Sequence, residues 1–317
     1  MRYIPALDGL RALAVLAVVC LHAHVPWLQG GFIGVDVFFV LSGYLITQVL
    51  AANPDLPRFY WRRAKRLVPA LAFMLAAYLI VAPLVVPDYP HSIDAGIGML
   101  YLSDYANAFW FVPTYIPHLW SLSVEEHFYL LWPLIFLRWR PSGRVLLAAY
   151  LAVTVWRWWP GQVGHYFRFD THSTGLILGC LIAQAPRLRL PAWPGLVCLA
   201  VLAAIPPGVD GWSQGPLLMA AELSAAFVIL ARSPAWLERP ALTYLGKLSY
   251  GIYLWHFPIM RVLLPHSPWP QTLAIGLVAS VAMAALSYHT IEALARRRKG
   301  LRQFNIVDMQ QAGSRAD

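Results

Sequence analysis

Apolar stretches of about 20 residues, the length that crosses a ~30 Å hydrocarbon layer as a single helix, recur from one end of this chain to the other. They fall at 7–26, 31–50, 67–86, 118–138, 144–159, 172–186, 191–206, 215–231, 245–264 and 270–292. In lipid, only helices and closed barrels satisfy every backbone polar group, and runs of this length read as helices. With 59% hydrophobic and 12% charged residues over 317 positions, the composition excludes an ordinary soluble domain. The predicted fold class is all-α: a polytopic membrane helix bundle of about ten transmembrane helices over residues 1–295, with both termini cytoplasmic and no soluble domain. Residues 296–317 are expected to form a polar, disordered cytoplasmic tail.

The net charge of +9 comes from short basic clusters between apolar runs, so nucleic acid is not an expected partner and the lipid bilayer is. The clusters are Arg58, Arg62, Arg63, Lys65 and Arg66; Arg138, Arg140 and Arg144; Arg187 and Arg189; Arg232, Arg239 and Lys247; and Arg296, Arg297, Arg298 and Lys299. Ten spans and an inside amino terminus put all of them on the cytoplasmic face, while opposite loops such as PPGVDGWSQG carry no Lys or Arg. That pattern requires residues 93–111 to stay out of the crossing count, as a re-entrant or interfacial helix on the outer side. Cys20, Cys180 and Cys198 sit in apolar segments without CxxC spacing, which favours neither a disulfide framework nor a metal site. The first run holds Asp8, Arg11 and His22 and reads as a retained helix, not a cleaved leader.

Ionisable residues inside apolar runs mark where function is to be sought. Arg11 and His22 are eleven residues apart, which on a helix is roughly 1100° of rotation and about 16 Å of rise, so they share a face. Asp36, near the start of the next span, lies at similar depth and is expected to hydrogen-bond His22 and raise its basicity, as a general base or nucleophile requires. The alternative is that Asp36 caps its own helix and His22 is a satisfied interior polar group. His24, turned about 200° from His22, faces away.

Three further segments carry chemistry. In FYWRRAKRLVP, Arg62 and Arg66 stand one turn apart and offer guanidinium forks suited to phosphate, although any cytoplasmic loop collects such residues. In HLWSLSVEEHFYLLWP, His118, Ser121, Glu125, Tyr129 and Trp132 fall on one helical face, with Glu126 offset by about 100°. At least one of the two carboxylates must therefore point into a polar interior, as a catalyst, an acceptor ligand or a partner for Arg. In YLGKLSYGIYLWHFP, Ser249, Tyr253 and His256 share a face, and His256 is read as lining the substrate cavity because no carboxylate lies at matched depth in that hairpin. Arg168 with Asp170, and Glu292 with Arg296, are read as internal ion pairs.

Taken in order, LDGLRALAVLAVVCLH, GGFIGVDVFFVLSGYLIT, FYWRRAKRLVP, HLWSLSVEEHFYLLWP and SYGIYLWHFP resemble the acyltransferase-3 family of bacterial integral membrane O-acyltransferases, over residues 3 to about 293. The resemblance implies an enzyme of the cell (inner) membrane with no permanently bound cofactor. It implies acyl-CoA, usually acetyl-CoA, as cytoplasmic donor, and a hydroxyl of a carbohydrate or glycolipid on the outer side as acceptor. His22 then matches the family's essential histidine and Arg11 its partner arginine. Arg62, Arg63 and Arg66 match the arginine motif linked to acyl-CoA, Asp36 and Ser42 the GVDxFFVxSG segment, and Glu125 and Glu126 the WSLSVEE segment. His127 departs from the family's usual Gln.

The resulting expectation makes His22, Asp36, Glu125 and Glu126 catalytic. Arg11, Arg62, Arg63 and Arg66 bind the donor, with Asp8 as the ion partner of Arg11. Ser42, His118, Trp120, Ser121, Arg168, Asp170, Ser249, Tyr253 and His256 line the substrate site, and no metal is expected. Some relatives add a carboxy-terminal hydrolase-like domain, so the chain is expected either to acylate its acceptor directly or to hand the acyl group to a partner. The rival reading is a transporter or flippase, which internal repeats would favour; the two halves show no convincing self-similarity.

Overall fold

The computed structural model describes residues 3–159, 164–206 and 211–297, the side chains of 211–214 and 296–297 excepted. Residues 207–210 of the PPGVDGWSQG loop, the side chains of the basic run from 296 to 299 and the polar tail thus lie outside the described residues. Among the described residues there are fourteen α-helices: α1 (Pro5–His22), α2 (Ile33–Ala52), α3 (Leu56–Val85), α4 (His91–Met99), α5 (Ser103–Trp110), α6 (Trp120–Trp139), α7 (Gly143–Arg157), α8 (Phe169–His172), α9 (Thr174–Ile182), α10 (Trp193–Ala204), α11 (Gly211–Leu230), α12 (Pro240–Leu263), α13 (Trp269–His289) and α14 (Ile291–Arg297). Among the described residues there is no β-strand, only an isolated bridge between Pro191 and Arg232.

Among the described residues, four helical stretches are long and apolar enough to cross a membrane: Pro5–His22, Ile33–Ala52, Leu56–Val85 and Trp269–Ala295. The other expected spans are helical but differ in kind. At 118–138 and 245–264 stand α6 and α12, of 20 and 24 residues, whose Glu, Tyr, Ser and His content dilutes their apolarity. The stretch at 172–186 splits into α8 and α9, while α7 and α10 reach 15 and 12 residues. Residues 93–111 form parts of α4 and α5, of 9 and 8 residues. At 1.5 Å per residue neither exceeds about 14 Å, too short to cross. Tyr101, at φ 54°, breaks the chain between them.

The distribution of polarity is inverted relative to a soluble protein. Asp36, Glu222, His172, Ser249 and His256 are fully buried, while Ile80, Leu84, Val155 and Val278 are exposed. Aliphatic side chains facing out and ionisable ones facing in are what a lipid solvent selects. Small residues bring the site-bearing helices together. α1 and α12 run in the same direction: a Cβ on Gly246 would sit 1.9 Å from the Asp8 carbonyl oxygen, and one on Gly9 would sit 2.1 Å from that of Leu237. On the other side, α2 packs against α9, where a Cβ on Gly179 would lie 2.3 Å from the Val40 oxygen. A clamp of Tyr78, Tyr89 and the backbone of Tyr115 around Asp94 ties α4 to α3 and to the segment before α6.

Candidate active site

The parallel packing of α1 and α12 sets His22, the last residue of α1, against His256, two residues before Pro258. Their rings are 5.0 Å apart between centroids, and His256 Nε2 lies 3.0 Å from His22 Nδ1. The proton positions follow from the neighbours. His256 Nδ1 faces the carbonyls of Tyr253 at 2.7 Å and Ile252 at 3.2 Å. A carbonyl only accepts, so Nδ1 carries the hydrogen, and in the neutral ring Nε2 is the acceptor. His22 Nδ1 must then donate to it, which leaves His22 Nε2 as a bare lone pair. His22 is half-buried, whereas His256 is fully buried.

Around this pair, Phe257 meets His22 edge-on and stacks on His118, both at 4.9 Å. His118 Nε2 lies 3.3 Å from the Leu254 oxygen, and its Nδ1 is buried without a partner. Tyr253 donates its only hydroxyl hydrogen to the His118 carbonyl at 2.8 Å, so the Ser121 hydroxyl, 2.7 Å away, donates to Tyr253. Ser249 is buried with its Oγ unpartnered. The structure thus gathers His118, Ser121, Tyr253 and His256 around His22. His118 itself belongs to a short 3₁₀ turn, Pro117–Leu119, and not to the face of α6.

Asp36 requires a correction. It does not orient His22; its Oδ1 lies 3.0 Å from Nε2 of His172, and both residues are fully buried. Asp36 is also not level with His22, because Gly34, two residues before it, packs against the Ala14 carbonyl of α1, eight residues from His22; α2 directs Asp36 to His172 of α8. His172 Nδ1 contacts the Tyr166 carbonyl, so both ring nitrogens face acceptors. Its ring is enclosed by Phe39, Trp120 and Tyr166. Next to it, Glu222 of α11 faces Arg157 of α7 at 3.6 Å, accepts from Tyr150 at 3.0 Å and contacts Thr174. Sequence reading passed over His172, Arg157 and Glu222. The signal was available: each is an ionisable residue in or beside an apolar run.

The arginines also divide differently from expectation. Arg62 lies within electrostatic reach of Arg58 and Asp55 at the end of α3, whereas Arg66 shares its surroundings with Arg11, Arg63 and Tyr129. By charge proximity Arg66 therefore groups with Arg63 and Arg11 and not with Arg62; of these Arg66 is exposed and the other three are partly buried. Asp8 accepts from Tyr3 at 2.6 Å and forms no ion pair with Arg11, a second correction. Arg63 stacks 3.5 Å above the Tyr129 ring. Tyr129 donates to Ser42 at 3.0 Å, and Ser42 donates to Glu125 at 2.5 Å. Glu126, one position on, faces a different space, a cleft of about 250 Å³ that Arg63 also lines. A polar seam thus runs from the arginine-rich end through Tyr129, Ser42 and Glu125 toward Tyr253 and the histidines.

Arg168 and Asp170 form the expected ion pair, with Trp156 donating to Asp170 at 2.8 Å. Burial opposes charge on Asp170, but the hydrogen bonds from Arg168 and Trp156 and the Arg168 charge outweigh it and hold the carboxyl below its ordinary range. His127 pairs with buried Asp104 at 3.1 Å. Glu292 lies 3.5 Å from the Ser287 hydroxyl, and its expected partner Arg296 lies outside the described side chains. Among the described residues no cluster of three or more His, Cys, Asp or Glu is placed to hold a metal ion.

A half-buried imidazole held by a second histidine thus lies beyond a polar seam that begins among arginines. The family model described as an acyltransferase domain matches residues 4–289, and the chain belongs to this acyltransferase-3 family. It is 32% identical to the peptidoglycan O-acetyltransferase OatA of Listeria monocytogenes, over 96% of this chain and 57% of that protein. It is 33% identical to the O-acetyltransferase OatA of Staphylococcus aureus, over 96% and 58%. The putative peptidoglycan O-acetyltransferase YrhL of Bacillus subtilis is 32% identical, over 96% and 56%. The chain therefore spans a little over half the length of these relatives. No solved structure matches.

Proposed function

We propose that this chain is a multi-pass O-acetyltransferase of the cell membrane. In this reading it moves an acetyl group from cytoplasmic acetyl-CoA to a hydroxyl of a carbohydrate acceptor on the outer side. The relatives' names make a peptidoglycan-type saccharide the first acceptor to try. The observation that carries the proposal is the contact between His22 Nδ1 and His256 Nε2, because it frees His22 Nε2 for chemistry. The donor's phosphates dock at Arg62, and Arg63, Arg66 and Arg11 mark the route of the thioester inward.

At the histidines, His22 Nε2 takes the acceptor hydroxyl proton as that oxygen bonds to the thioester carbon. The carbon–sulfur bond breaks, and the proton passes from His22 to the departing CoA sulfur. The positive charge carried transiently by His22 is shared with His256 through the Nδ1 hydrogen bond. The second use of the same lone pair, direct attack to give an acetyl-imidazole, leaves CoA release independent of acceptor.

The test is CoA release by purified protein in liposomes given acetyl-CoA, with and without chitooligosaccharide. Acceptor-dependent release and oligosaccharide acetylation, both lost in His22→Ala, support direct transfer; one equivalent of CoA released without acceptor assigns the acetyl-imidazole route. Acetylation that survives His22→Ala contradicts the proposal.

A further inference from the structure

The cleft between α3 and α6 carries an unused pair of groups. Glu126 and Arg63 both line it, yet no ion pair joins them, because the Arg63 guanidinium lies flat on the Tyr129 ring at 3.5 Å. Each is left with a buried atom that has no hydrogen-bond partner, Oε1 on Glu126 and Nε on Arg63. An orphaned acceptor and an orphaned donor in one apolar-walled space are costly unless something supplies both complements. The remaining wall is Tyr60, Ala64, Leu67, Val68, Tyr129 and Leu130. Its volume of about 250 Å³ is below the ~300–1,000 Å³ of sites that enclose a drug-sized ligand, and suits a slender chain.

A secondary amide offers an N–H and a carbonyl together. Phosphate offers only acceptors to Arg, and a hydrocarbon chain offers neither. We infer that this cleft seats the amide-bearing pantetheine arm of the acyl-CoA donor, with Glu126 accepting an amide N–H and Arg63 donating to an amide carbonyl. This rests on the reading of acyl-CoA as donor. It moves Glu126 from the reacting atoms to donor binding, and leaves Glu125, one position back and bonded to Ser42, on the seam toward His22.

The experiment is equilibrium binding of CoA and of pantetheine to the protein in nanodiscs, by calorimetry, alongside turnover. Wild type binds both. Glu126→Leu weakens both by about tenfold, the loss of one hydrogen bond to a charged group, and Glu126→Gln, which keeps a carbonyl acceptor, weakens them less. Arg62→Ala weakens CoA alone. In turnover, Glu126→Leu raises KM for acetyl-CoA with kcat unchanged and leaves KM for an amide-free acetyl thioester as in wild type. Wild-type pantetheine affinity in a folded Glu126→Leu protein, no pantetheine binding to wild type, or equal losses with every thioester overturns the inference. If pantetheine binds through Glu126 while acetyl-CoA is never consumed, the transfer reading fails instead.

Discussion

Two buried histidine pairs sit on opposite sides of α1 and α2, and their difference locates the chemistry. On the α1 and α12 side, half-buried His22 is paired with a neutral imidazole and keeps its Nε2 lone pair. On the α2 and α8 side, His172 is paired with a carboxylate, both of its ring nitrogens face acceptors, and three aromatic rings enclose it. A carboxylate beside a histidine is commonly taken as the mark of an activated base. Here that pair is spent on holding helices, because neither nitrogen of His172 is available and no part of it is exposed. Availability of a lone pair, more than the identity of the partner, separates a reactive imidazole from a structural one.

Substitutions on the two sides should therefore fail in different ways. The largest effect is expected at His22: His22→Ala lowers acetyl transfer by about 10⁴-fold in protein that still folds, read as CoA release. Next is the network beside His172. Glu222→Leu leaves Arg157 as an uncompensated buried charge and costs about 3–5 kcal/mol in an unfolding titration, while Arg157→Leu combined with Glu222→Leu recovers part of the loss. His256→Leu frees the His22 ring to rotate and change tautomer, for a rate loss of about 10²-fold with donor KM unchanged. The smallest effect is at the partly buried Arg168 and Asp170 pair, whose side chains are 12% and 34% exposed, where Arg168→Ala costs about 1 kcal/mol and less in salt. Since the folded-state pKa of Asp170 is lowered, that contribution is present above the ordinary carboxylate pKa and is lost as pH falls through the folded value.

The face that a residue takes on its own helix was legible in the sequence, and the pairing between helices was not. Helix periodicity puts Arg11 and His22 on one face, but Asp36 is not level with His22, since Gly34, two positions before it, packs against Ala14 of α1. Which way Asp36 points depends on which helix α2 packs against, and that is decided by close contacts with α9 at Gly43 and Gly179. His256 was found as a polar position on α12, but its partner is 234 residues away in sequence. The close approach of Gly246 on α12 to the Asp8 backbone, with Gly9 against Leu237 just before α12, brings the two helices into register. The split between Glu125 and Glu126 was readable, since adjacent helical residues diverge by about 100°. What each met, Ser42 or the Arg63 cleft, was tertiary information.

The central claim is that His22 works through His256 and not through the carboxylate-paired histidine. It is tested most directly by acetyl-CoA turnover of His256→Leu and His172→Leu at matched amounts of folded protein. The account predicts a loss of about 10²-fold in His256→Leu and a rate within about threefold of wild type in whatever His172→Leu folds, since surrounding packing and not chemistry is altered. The opposite order, with His172→Leu inactive and His256→Leu near wild type, would contradict it.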